Sequence, residues 1–245
     1  VAEPAKPGVV PEDMGGFFDI SGFSSTYDLC FDLGIASCDE ATVNLTGMDF
    51  YYLGEHLDAI TISTNGFIVA GGADLSSANM WLNQNMPDPT IPNNTVAPWW
   101  TDIDLDGAAA DDPGSGHWYL NFNLTDGVFD YTVIQWQDAQ LYGDPSSTYT
   151  FQIWMVEGTD YIWYSYDTFV GDTSVATVGI EDSGGTTGHS YYYNGTGTLP
   201  TSDIDLLVSE VPAPEVKVNY QVTVDAGATS GDYITNTVEH ITDNP

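Results

Sequence analysis

From residue 59 to residue 70 the chain reads Ala-Ile-Thr-Ile-Ser-Thr-Asn-Gly-Phe-Ile-Val-Ala. Apolar and β-branched residues alternate with small polar ones, so one side of each arm is apolar, the mark of a half-buried strand. Asn65-Gly66 between the arms predicts a type I′ hairpin with both central residues at positive φ. The same signature predicts strands over 118–123, 130–136, 148–156, 161–166 and 176–180, each bounded by Gly, Asp, Asn or Pro. No stretch keeps an apolar period of 3.6, so almost no helix is expected. Many short strands at this spacing predict an all-β chain, an antiparallel β-sandwich of jelly-roll or immunoglobulin-like type.

Punctuation divides the chain in three. Residues 1–12 (VAEPAKPGVVPE) are Pro-rich and read as an extended N-terminal arm. Residues 13–211 carry the sandwich pattern. Residues 212–245 read as a linker, opening on Pro-Ala-Pro, followed by strands over 216–224 and 233–238. Two strands cannot stand as a domain, so this tail is expected to pack on the body or to complete a sheet in a neighbouring subunit. The chain begins with Val and shows no targeting segment, and it reads as a processed or excised piece.

Charge narrows the partners. Two basic residues, Lys6 and Lys217, stand against 36 acidic ones, and Arg is absent, for a formal net charge of −34 over 245 residues. Phosphate backbones and anionic lipid are repelled by such a surface, which excludes nucleic acid as a partner. No apolar run approaches the ~20 residues of a membrane span, so membrane insertion is not expected. Divalent cations are favoured instead. Cys30 and Cys38, the only cysteines, suit a short disulfide loop in an oxidising, extracellular setting.

Two segments, Ile62-Ser-Thr-Asn-Gly-Phe67 and Asn93-Asn-Thr-Val-Ala-Pro-Trp-Trp-Thr-Asp102-Ile-Asp104, resemble those of nidogen-like extracellular β domains. The runs Tyr149-Thr-Phe-Gln-Ile-Trp154, Val178-Gly-Ile-Glu-Asp182 and Tyr193-Asn-Gly-Thr-Gly-Thr-Leu-Pro200 resemble non-catalytic accessory regions of secreted subtilisin-like serine proteases of marine bacteria. Residues 222–238 resemble a repeat of bacterial surface proteins. These resemblances imply an extracellular β architecture without an activity of its own.

The strongest chemical motif is Asp102-Ile-Asp104-Leu-Asp106-Gly107. Alternating carboxylates before a Gly resemble the first half of a calcium loop, because Ca²⁺ requires several converging oxygens and a sharp turn. Pro113 stands where such a loop places its bidentate Glu, and Asp111 and Asp112 are expected to supply the missing oxygens. Trp99, Trp100, Tyr191, Tyr192 and Tyr193 are candidates for a glycan platform or an interface, against ordinary packing on alternating strands. Lys217 and Asn236 are candidates for an interstrand isopeptide bond. The His residues (56, 117, 189, 240) are scattered, and no nucleophile elbow or H-E-x-x-H occurs. No enzymatic activity is expected.

The expected function is a secreted structural or adhesive protein. It would form homo-oligomers or filaments by strand addition through its termini, with Ca²⁺ offsetting the charge and extracellular matrix or glycan as a further partner. The alternative is a substrate- or matrix-binding accessory module of a secreted subtilisin-like protease.

Overall fold

The computed structural model describes residues 6–73, 75, 79–106, 116–202 and 204–211. The tail strands, Asp111, Asp112, Lys217 and Asn236 lie outside the described residues. Among the described residues fifteen strands and one helical turn follow in order: β1 (Lys6–Pro11), β2 (Tyr27–Asp28), α1 (Leu29–Asp32), β3 (Thr42–Tyr52), β4 (Glu55–Ser63), β5 (Phe67–Ala70), β6 (Thr95–Trp100), β7 (Ile103–Asp104), β8 (His117–Thr125), β9 (Asp130–Leu141), β10 (Asp144–Val156), β11 (Ile162–Val170), β12 (Thr177–Glu181), β13 (Gly188–Tyr193), β14 (Thr196–Gly197) and β15 (Leu206–Val211). They form two antiparallel sheets, in the orders β1-β15-β11-β10-β9-β8-β2, with β7 beside β9, and β14-β13-β12-β6-β5-β4-β3. The chain is an all-β sandwich, as its alternation predicts.

Aromatic side chains fill the space between the sheets. Trp99, Trp118, Trp136, Tyr149, Tyr164, Tyr166, Phe50 and Phe151 are fully buried there. Two tyrosines of β11 cross the core: Tyr164 donates its hydroxyl to the Gly179 carbonyl and Tyr166 to that of Pro98, at 2.9 and 3.0 Å. Such bonds satisfy a polar tip inside an apolar layer.

Both sheets are also covered on part of their outer faces, which alternation alone did not foretell. The 13–26 segment lies over β9 and β10, where Ile20 packs with Val133 and Trp154. Buried glutamines fasten it: Gln135 Oε1 accepts from the Ile20 amide at 3.0 Å, and Gln152 Nε2 donates to the Phe18 carbonyl at 2.7 Å. On the other sheet, Leu75, Met80 and Met86 of the β5–β6 connection cover Phe67, Val69 and Trp100. The Trp100 indole donates to the Met80 carbonyl at 2.6 Å. Strands β5, β6 and β12 are therefore buried on both faces.

Two turns differ from expectation. The Asn65-Gly66 hairpin exists, but Ser63 pairs with Phe67, which leaves a three-residue loop with only Gly66 at positive φ (77°). The two-residue turn with both residues left-handed is Leu53-Gly54, φ 48° and 81°, joining β3 to β4. At position 66 tertiary packing decides, since a Cβ there would lie 2.0 Å from the Trp99 carbonyl oxygen. Residues 6–11 of the N-terminal arm are extended as expected, and form β1 by pairing with β15 of the same chain.

Candidate metal centre

At one end of the sandwich three segments meet. Cys30 and Cys38 are joined by a disulfide with Cα atoms 6.1 Å apart, which closes a short loop leading directly into Asp39 and Glu40. Cys38 is then fixed from the far side: its amide donates to Asp106 Oδ2 at 2.5 Å, and its carbonyl accepts from the Leu105 amide at 3.2 Å. The third segment is the β4–β5 turn. Thr64 donates its hydroxyl to the Asp39 carbonyl. Asn65 Oδ1 accepts from the Ile103 amide at 2.7 Å, while its Nδ2 donates to Glu40 Oε2 at 3.1 Å. Asn65, completely buried, thus ties the acidic loop to the start of β7.

This scaffold brings one carboxylate oxygen each from Asp39, Glu40 and Asp102 within 4.8 Å of one another. Among the described residues this is the one group of three or more metal-ligating side chains so placed. Together with Trp81 and Tyr142 the three line a cleft of about 240 Å³. The two aromatics are exposed and stand beside the carboxylates in its lining. The Asp102 carbonyl accepts from the Tyr142 amide at 2.8 Å, which holds Tyr142 and the ligand segment together.

The electrostatics are unfavourable for bare carboxylates. Burial, with the charges of Asp39 and Asp102 adding to it, raises Glu40 to about 7 against the bond from Asn65. Burial and the charges of Asp39 and Asp104 raise Asp102 to about 6. Asp39 is raised by burial and by Asp104 and Asp106, and its Oδ1 is buried with no hydrogen-bond partner. Like charges held this close disfavour ionisation, and a bound cation reverses that preference. The all-carboxylate donor set suits a hard cation such as Ca²⁺ or Mg²⁺ and not Zn²⁺ or Cu²⁺.

The sequence motif at 102–106 is divided by the fold. Asp102 joins the cluster, Asp104 Oδ1 accepts from the Asp106 amide at 2.9 Å, and Asp106 turns to Cys38. Asp39 and Glu40 were missed in the sequence. Their signal was an acidic pair directly after a half-cystine, a position a disulfide holds still. Trp99 and Trp100 are fully buried and Tyr192 nearly so, which removes them from any ligand-facing platform; Tyr191 and Tyr193 are half-buried. Core packing claimed Trp99 and Trp100 because β6 has a layer on either face.

An antiparallel sandwich closed by a disulfide is the architecture of an extracellular type of β module. The chain belongs to the NIDO-related family, whose model matches residues 33–221. No curated protein and no solved structure matches it.

Proposed function

We propose that this chain is a non-catalytic extracellular adhesive domain that assembles with copies of itself and is stabilised by Ca²⁺ held by Asp39, Glu40 and Asp102. The observation that carries the reading is the convergence of three partly buried carboxylates in a protein whose whole sequence offers two cations to balance 36 acids. Calcium supplies the missing positive charge and locks the disulfide loop to the start of β7. Waters and backbone carbonyls complete the usual six to eight oxygens. Assembly would use the sheet edge at β1, where a terminal, Pro-containing strand pairs along one side with β15. Such a strand can exchange between copies without new contact chemistry.

Sedimentation velocity with calcium and with excess EDTA tests both parts. Assemblies that form with calcium, dissolve in EDTA and fail to form in Glu40→Gln/Asp102→Asn support the proposal. A monomer under every condition removes self-assembly and favours the accessory-module reading. Assembly indifferent to EDTA removes calcium.

A further inference from the structure

A second cleft, of about 430 Å³, lies where the β3–β4 turn meets the β10–β11 turn and Val208 of β15. Its lining includes Tyr51, Tyr52, Leu53, Thr159, Asp160 and Tyr161. The volume falls within the range of small-ligand sites. Tyr52 is buried, whereas Tyr51 is 41% and Tyr161 49% exposed. Neither exposed ring is loose. Tyr51 packs on the His56 imidazole at 4.8 Å between centroids, and His56 is held by Asp49 at 2.6 Å. Tyr161 stacks on Trp163 at 5.3 Å.

The turns that carry the two rings are bonded to each other. The Tyr51 amide donates to the Thr159 carbonyl at 2.8 Å, and the Gly158 amide to that of Asp49 at 2.6 Å. Leu53, a bulky residue at φ 48°, sits in the cleft wall in a conformation that costs on the order of 1 kcal/mol and that packing must enforce. The result is a preformed site lined by two exposed tyrosines, each backed by a second ring, and by the acidic Asp160.

We propose that this cleft binds an organic cation, the guanidinium or ammonium of an Arg or Lys side chain on a partner polypeptide. Aromatic faces carry negative potential and attract such groups, preferring them to strongly hydrated inorganic ions. Asp160 supplies the counter-charge, and the net charge of −34 steers cationic proteins toward the surface. With two Lys and no Arg in its own sequence, this chain leaves the cation to another molecule. The site shares no residue with the carboxylate cluster and stands whether or not that cluster holds calcium.

The test is NMR titration of the full chain at low ionic strength, following the Tyr51 and Tyr161 ring signals. The titrants are an Arg-containing peptide, the same peptide with citrulline, tetramethylammonium and a neutral disaccharide. We expect saturable shifts of both rings with the Arg peptide and none with citrulline. Tyr51→Ala and Tyr161→Ala should each weaken binding about tenfold, Asp160→Asn should weaken it too, and Asp167→Asn on β11 should leave it unchanged. Non-saturating binding, or binding that the Tyr variants do not alter, reduces the effect to general charge attraction and overturns the site. Tighter binding of tetramethylammonium than of the peptide overturns the polypeptide assignment. Binding of the disaccharide in place of the peptide overturns the cation chemistry.

Discussion

Gly66 and Asn65 share the tip of the β4–β5 hairpin for different reasons. Gly66 is required sterically: its φ is 77°, and a Cβ would meet the Trp99 carbonyl oxygen at 2.0 Å and Phe151 Cζ at 3.1 Å. Backbone on one side and a packed ring on the other leave no room to yield. Gly66→Ala is expected to lower stability by about 3 kcal/mol, read as a lower urea midpoint at unchanged slope. Asn65 is required chemically, since its amide serves the Ile103 N–H and the Glu40 carboxylate at once. The dipeptide is legible in the sequence as a hairpin. Its second role, organising an acidic site, depends on residues 25 positions upstream and 38 downstream that no local pattern connects.

At the scale of elements, β1 shows how a Pro-rich arm becomes a strand. It pairs with β15 in register from Lys6↔Val211 to Pro11↔Leu206. Val9, buried among the core residues, also donates its amide to His189 Nδ1 of β13, on the other sheet, at 3.0 Å. That bond requires an unprotonated Nδ1. Burial lowers the His189 pKa, so its contribution is complete above about 6.5 and is lost as pH falls through the depressed folded value. Hydrogen exchange at the Val9 amide, corrected for intrinsic rates, should therefore speed up once pH falls below the lowered pKa of His189. Unchanged protection between pH 7 and pH 5 would mean that the pairing with β15 holds β1 unaided. Here the sequence indicated an extended segment; its partner came from residue separations of about 200 in one sheet and 180 in the other.

For the whole molecule, acid should stabilise this protein when divalent cations are absent. Glu40 and Glu181 are raised from 4.5 to about 7 and Asp102 from 3.8 to about 6, in each case chiefly by burial. A carboxyl raised in the folded state contributes stability that is full below its unfolded pKa and disappears as pH rises through the folded one. The window is therefore about pH 4 to 7. Asp39 and His117, both also raised, act in the same direction, and His189 acts in the opposite one below about 6.5. In EDTA the melting temperature should be higher at pH 5 than at pH 8 by about 3 °C or more, since each 1 kcal/mol moves a domain of this size by about 2–4 °C. Saturating calcium should flatten this dependence by keeping Glu40 and Asp102 ionised. The remainder belongs to Glu181, fully buried with one oxygen bonded to the Asp88 amide at 2.9 Å and the other without a partner. Glu181→Gln should remove it. A melting temperature that rises with pH in EDTA would contradict the assignment.

Strand-forming alternation, turn residues, a cysteine pair and an extreme charge imbalance are local or additive properties, and the sequence by itself determined from them an all-β, disulfide-closed, strongly anionic module. Which faces are buried was decided by the tertiary structure, because the 13–26 segment and the β5–β6 connection cover apolar strand positions that would otherwise face water. The fold also chose which acids meet. Spacing at 102, 104 and 106 suggested one continuous loop, but side-chain direction and backbone N–H groups sent these carboxylates to different partners. Asp39 and Glu40 reach Asp102 because a disulfide and a buried asparagine hold distant segments together, and proximity of that kind is a property of packing rather than of order along the chain.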